Sequence, residues 1–327
     1  MARILSIVAA LAVQAAVAVP AAMAQDSVKL NMVPLPSSRQ QIDIGMDMKM
    51  NMSMDLPPNA TEQQRAQMAQ MKASMPIVMK MGMRQELATT AKAPDGAYTL
   101  NAEVTTLKSE MRDGTGQARP LPQQGPMRFS ARLKDDQFEK IDLQLANTAQ
   151  AQALSKEMQE QIFNQSFDWM RKFNGKTLKV GETLEMPIEM NLPMAGAKAG
   201  KLLGKYTLTA VNKGVASFDV DVRMDMSFAV PTPAKAASGA SAPAAAASAA
   251  GPVEGAMTGS GRGKMDLRLA DRLMVRSTMA MTMGVDMAGP QGNKMRMDME
   301  MSMTGTGKAL PPGAKKPAAP AKPAAKG

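Results

Sequence analysis

The chain contains no cysteine and no histidine among its 327 residues. Without cysteine, no disulfide supports the fold and no thiolate is present as nucleophile or metal ligand. Without histidine, the commonest metal ligand and the commonest general base at neutral pH are both missing. Serine–histidine–aspartate and cysteine–histidine catalysis are excluded, and so are zinc and haem sites built on those ligands. Aromatic residues make up only 3% of the chain, and no nucleic-acid-binding module is recognisable, so nucleic acid is not an expected partner. After residue 24 no apolar run reaches the ~18 residues of a membrane-spanning helix.

The first segment reads as an export signal. Arg3 supplies the positive start, Ile4 to Pro20 the apolar stretch, and Ala22-Met23-Ala24 the small-residue cleavage site. Cleavage near Ala24, with no cysteine to carry a lipid anchor, predicts a soluble mature protein, periplasmic or secreted. Net charge is +10, and part of the excess lies in a Pro/Ala tail bearing Lys308, Lys315, Lys316, Lys322 and Lys326 with no acid among them. A tail of this kind is drawn to anionic surfaces, here an envelope surface.

What the chain does have is methionine, 35 residues of it, much of it at every second position. Met46, Met48, Met50, Met52 and Met54 alternate with polar residues, and the pattern returns at Met79, Met81 and Met83. It returns again at Met279, Met281 and Met283, and at Met295, Met297, Met299, Met301 and Met303. A period of two is that of a β-strand, so thioethers line one face and polar groups the other.

The rest of the chain extends this reading. Ile42 to Leu56 makes one long strand, Pro57-Pro58 ends it, and Thr61 with Gln64 opens a short helix through Met71. A second strand follows from Ile77 to Leu87, antiparallel to the first. Asp95-Gly96 and Asp135-Asp136 read as turns between further strands. From about Thr148 to Phe173 the apolar spacing changes to three and four, which predicts one substantial helix stopped by Asn174-Gly175. Strand signals resume from Leu178 to Met190, at Tyr206 to Ala210 and at Phe218 to Phe228. Pro231 to Gly255 is an Ala/Ser/Pro-rich flexible insertion, and the final strands pair around Gly289-Pro290-Gln291-Gly292. The expected fold is mainly β: a large curved antiparallel sheet or open half-barrel of about eleven or twelve strands, with the helix as its cover. The expected organisation is a signal peptide (1–24), one discontinuous domain (25–230 and 256–306), the insertion (231–255) and a disordered basic tail (307–327).

The order of features resembles a family of uncharacterised exported bacterial proteins known as a domain of unknown function. The shared traits are methionine-alternating opening strands, an Asp-Gly-x-Tyr-x-Leu turn-strand at Asp95 to Leu100, and a helix. A Gly-Lys-x-x-x-Val-Gly-Glu segment at Gly175 to Glu182 follows, then methionine-rich closing strands. The resemblance implies no activity and no site. More loosely, the tally of strands plus a covering helix is similar to the half-barrel lipoprotein carriers of the periplasm, by analogy of fold alone.

These features point to a non-enzymatic protein without a cofactor. Carboxylates such as Asp47, Asp225, Asp298 and Glu300 alternate with methionine and read as a solvated face rather than as catalytic acids. The expected activity is binding of lipid or another apolar ligand on the thioether face, lined by Met46, Met48, Met50, Met52, Met54, Met79, Met81, Met83, Met279, Met281, Met283, Met297, Met299 and Met301. Methionine is flexible and polarisable, and surfaces rich in it repack around varied apolar partners. One alternative is Cu(I) or Ag(I) bound by Met-x-Met thioethers, with Met281, Met283, Met297 and Met299 as candidate ligands. Others are an oxidant sink working through methionine sulfoxide, and methionine serving only as the core hydrophobe.

Overall fold

The computed structural model describes residues 27–55, 61–120, 125–144, 170–190, 200–230, 253–288 and 294–311. The signal segment, the helix from Thr148 to Trp169, most of the insertion, the Gly289–Gly292 turn and the tail beyond Pro311 lie outside the described residues.

In chain order the elements are β1 (Ser27–Lys29), β2 (Arg39–Asp55), α1 (Glu62–Ala73), β3 (Ile77–Thr89), β4 (Tyr98–Arg112), β5 (Ala118–Pro120), β6 (Met127–Lys134) and β7 (Gln137–Gln144). They continue as β8 (Thr177–Lys179), β9 (Thr183–Met190), β10 (Gly200–Asn212), β11 (Val215–Val230), β12 (Val253–Arg268), β13 (Leu273–Ala288) and β14 (Lys294–Ala309). The fold is mainly β. Twelve strands form one antiparallel sheet in the order β7-β6-β4-β3-β2-β14-β13-β12-β11-β10-β9, with β5 on β4, and the sheet is not closed. The remaining two, β1 and β8, pair with each other.

The sheet consists of two meanders, β2 to β7 and β9 to β14, joined where β2 pairs with β14 from Gln40↔Ala309 to Asp55↔Lys294. The first and last long strands of the chain therefore meet at the middle of the sheet. Within each meander, local chemistry sets the hairpins. Asp135 and Asp136 both adopt left-handed backbone, φ 49° and 60°, in a two-residue turn between Lys134 and Gln137. Lys213 and Gly214 do the same between Asn212 and Val215. The Asp95-Gly96 turn forms as its sequence predicts, with Asp95 Oδ1 accepting the Ala97 N–H at 3.1 Å.

At one end the sheet curls over its apolar face. The β6–β7 turn and the β12–β13 turn belong to strands at least five spacings apart, on the order of 24 Å in a flat sheet. Yet Arg272 Nη1 donates to Asp136 Oδ1 at 2.7 Å and to the Val33 carbonyl at 3.2 Å. Bulges at Arg132/Leu133, Leu208/Ala210 and Asp266/Leu267 add the bend near this end. The segment from Val28 to Pro34 fills the space that the curl encloses. Leu30 exchanges backbone hydrogen bonds with Gly175 and Lys176, Met32 N–H donates to Asn174 Oδ1, and Asn31 Nδ2 donates to Asp136 Oδ2 at 2.6 Å.

The core gathers around this plug. Val28, Leu30, Phe173, Leu178, Leu208, Phe218 and Leu267 form one buried cluster, and Phe173 meets Tyr206 and Phe218 edge-on at 5.6 and 5.9 Å. Val33, Tyr98, Leu100, Leu133 and Phe138 form a second. The end of the predicted helix is present at residues 170–173, and it contributes Phe173 to the first cluster and Met170 to the edge of the second.

Three boundaries differ from the sequence reading. The insertion was expected to run through Gly255, but β12 begins at Val253 and keeps strand geometry through Gly255, Gly259, Gly261 and Gly263. Pairing on both sides, to β11 and β13, overrides the low strand propensity of glycine. The last strand runs to Ala309, past residue 306, because β2 supplies a partner that far and Leu310 N–H still bonds the Arg39 carbonyl. The short helix read through Met71 runs to Ala73, with Ser74 Oγ donating to the Met71 carbonyl; left-handed Gly181, at φ 90°, divides the strand signals from Leu178 to Met190 into β8 and β9.

Candidate functional site

The methionine segments form β2, β3, β13 and β14, the four strands at the junction of the two meanders. Their registers place thioethers directly opposite one another. Met279, Met303, Met46 and Met81 make one transverse row. Met281, Met301, Met48, Met79 and Met111 make the next, five strands wide. Met283, Met299 and Met50 make a third, and Ile77 continues it. Met297 with Met52, and Met287 with Met295 and Met54, close the series. Met83 stands in phase on β3, opposite Ile44. In-row neighbours are about 4.8 Å apart by strand spacing, and successive rows ~6.6 Å by two residues of rise.

Every apolar-face residue anticipated from the sequence therefore lies on one continuous face. The proposed metal quartet is less compact: only Met283 and Met299 stand directly opposite, while Met281 faces Met301 and Met297 faces Val285. Sequence reasoning missed the members contributed by β12. Gly255, Met257, Gly259, Gly261 and Gly263 are in phase with the rows, opposite Met287, Val285, Met283, Met281 and Met279. The alternation of these glycines with polar residues was the available signal. They are needed because neighbouring groups lean over them. A Cβ on Gly261 would stand 2.5 Å from Met281 Cγ, one on Gly259 3.0 Å from Met283 Cγ, and one on Gly263 would collide with the Thr278 carbonyl. The result is a trough in the backbone surface along β12, filled by the β13 methionines that lean over it and flanked by Val222 and Met224 of β11.

Burial divides the methionines into two populations. Met186, Met226 and Met265 are 1%, 4% and 6% exposed. The methionines of the rows on β2, β3, β13 and β14 are all half-buried. Of the row methionines, Met279 packs against the buried cluster at the plugged end, and α1 contacts the margin of β2. The tightly packed clusters are built mainly from Leu, Val, Phe, Tyr and Ala, with Met186 and Met265 among them.

The opposite face is charged and largely self-neutralising. Lys80 pairs with Asp47, Lys264 with Asp219, Arg262 with Asp221 and Arg276 with Asp266, at 3.0 to 3.6 Å. Arg84, 2.7 Å from Asp43, holds that carboxyl below its ordinary value, against the opposing effect of burial. One cavity among the described residues, about 850 Å³, is a broad trough with Asp47, Lys49, Lys80, Asp221, Arg262 and Glu300 along it. Its lining also includes Met48, Met281 and Met301 of the five-strand row and Gly261 of β12. Its charged side chains stand well out in solvent, that of Arg262 at 90% exposure, so it is a shallow paired surface rather than a desolvated pocket. Among the described residues no group of three or more carboxylates gathers as a cation site. At the plugged end, Tyr98 donates to the Pro34 carbonyl at 3.1 Å, and its phenol is pushed up to about 12, first by burial and then by the nearby Asp136 charge.

The arrangement combines an extended, soft, half-covered apolar surface with a rigid end and a charge-paired outer face. Compared with protein-family models and with curated proteins, the chain matches none.

Proposed function

We propose that the protein is an exported, non-enzymatic binder of an apolar ligand, held on the methionine rows and the glycine trough beside them. The observation that carries this reading is the separation of packing from methionine along the sheet. Methionine is a minority of the tightest core, where Met186 and Met265 join Leu, Val, Phe, Tyr and Ala, and it is concentrated instead in the rows. The row thioethers are partly buried and keep some of their surface in solvent. Thioether side chains repack with little rotamer preference, so those of Met281 and Met283, which lean over Gly261 and Gly259, can swing aside to admit a chain of methylene groups between β11 and β13. At roughly 25 cal/mol per Å² of apolar area, an acyl chain burying a few hundred Å² gains several kcal/mol before ordering terms are subtracted. The basic tail agrees with this reading, since it favours an anionic envelope surface.

Native mass spectrometry of protein purified from its own host, together with titration of a fluorescent fatty acid, tests the proposal. A co-purifying apolar molecule and saturable binding are expected. Absence of both would end it. The row of five thioethers running from Met281 to Met111 supports a second reading, capture of Cu(I) or Ag(I). Titration of Cu(I) under reducing conditions decides it: an affinity no better than that of free methionine rejects it.

A further inference from the structure

We propose that the methionine rows are also a sulfoxidation surface, which a two-electron oxygen donor such as hydrogen peroxide modifies in the folded protein while the core methionines and the fold are spared. This does not depend on the apolar ligand. In each event a lone pair on Sδ attacks one peroxide oxygen, the S–O bond forms and the O–O bond breaks. The departing hydroxide takes the proton from the new S–OH group and leaves as water. Sulfur loses two electrons and the peroxide gains them, so one thioether and one peroxide give one sulfoxide and one water.

Three observations carry the inference. Accessibility is graded along the sheet: the thioethers of β2, β3, β13 and β14 are half-buried, whereas Met186, Met226 and Met265 are sealed at 6% exposure or less. Most of the groups that hold the fold lie elsewhere. The plug from Val28 to Pro34, the Phe173 cluster and the Asp136–Arg272 contact are at the curled end, and of the row methionines Met279 alone packs against the buried clusters, which hold Met186 and Met265. Finally, the row thioethers keep part of their surface in solvent, so a new sulfoxide oxygen reaches water and is not buried without a partner. The backbone ladder is untouched, because the oxygen projects from the face and not along the inter-strand direction. Oxidation thus converts a band of apolar thioethers into polar, hydrogen-bond-accepting sulfoxides without dismantling the strands that bear it.

The experiment exposes the full mature chain to dilute hydrogen peroxide, quenches with free methionine, and follows each methionine by peptide mass spectrometry and the fold by circular dichroism. It is run on protein as purified and after extraction of apolar molecules, and repeated in urea, where all methionines should react alike. The expected result is that the row methionines gain oxygen at least about tenfold faster than Met186, Met226 and Met265, with an unchanged β signal. Rows that react as slowly as the core set in both preparations would overturn the proposal. So would uniform oxidation accompanied by loss of the β signal, since oxidation would then follow unfolding. Failure of the fatty-acid titration leaves this result standing, and slow oxidation leaves ligand binding standing, so the two readings fail separately.

Discussion

Phe173→Ala should cost about twice as much stability as Met48→Ala, because the structure places one in the sealed core and the other on a partly exposed face. Phe173 is 0% exposed and wedged edge-on between Tyr206 and Phe218, where it closes the cluster that Leu30, Leu178 and Leu208 share. Truncating a buried Phe removes ~3–5 kcal/mol, the upper end applying where the walls cannot collapse. Here the walls are β10 and β11 on one side and the β1–β8 pair on the other, so the cavity should persist. Met48 lies between Met301 and Met79 and is half-buried. Full burial of such a side chain is worth ~1.5–3 kcal/mol, so a partly exposed one predicts a loss of ~1–2.5 kcal/mol. At roughly 2–4 °C per kcal/mol for a domain of this size, the melting temperature should fall by ~6–20 °C for Phe173→Ala and by ~2–10 °C for Met48→Ala. Urea unfolding followed by circular dichroism, with Met48→Leu and Phe173→Leu as volume-conserving controls, measures both. If Met48→Ala is as damaging as Phe173→Ala, the rows are load-carrying core, and the separation of packing from methionine is wrong.

Tyr98 makes the fold sensitive to alkali: because burial raises its phenol to about 12, the stability it contributes is complete below pH 10 and is lost as the pH rises from 10 towards 12, by at most ~3 kcal/mol. Tyr206, also raised by burial, acts in the same direction, so the phenolate absorbance of both tyrosines should lag behind that of free tyrosine until unfolding; coincident titration near 10 in folded protein would refute this. Arg272→Gln should lower stability by ~1–3 kcal/mol by releasing the Asp136 carboxylate and the Val33 carbonyl that hold the curl. A double-mutant cycle with Asp136→Asn should show positive coupling between the two turns, and strict additivity would mean that the turns do not hold each other.

Much of the fold was legible in the residues. Period-two alternation located β2, β3, β13 and β14, since a strand half-covered on one face leaves that pattern wherever it occurs. Asp95-Gly96, Asp135-Asp136 and Asn174-Gly175 announced their turns through the backbone conformations those residues tolerate. The first half of β12 was not legible, because glycine at alternate positions resembles a linker unless the neighbouring strands are known. Residues 27–34 carry too little pattern to be recognised as the plug, whose role arises only from contacts to Asn174, Asp136 and Arg272, remote in sequence.

By itself the sequence determined which side chains share a face, because alternation is a property of each strand alone. It also ruled out histidine and cysteine chemistry, because absent residues contribute nothing in any fold. Only the tertiary structure decided which methionines stand opposite which. Met-alternating strands are interchangeable by pattern, and a shift of two residues preserves the face while changing every neighbour. The pairing of β2 with β14, some 250 residues apart in the chain, selected one register and assembled the rows. The curl at the plugged end then decided that Leu, Val, Phe and Tyr, with Met186 and Met265, would be sealed and the row thioethers left partly exposed.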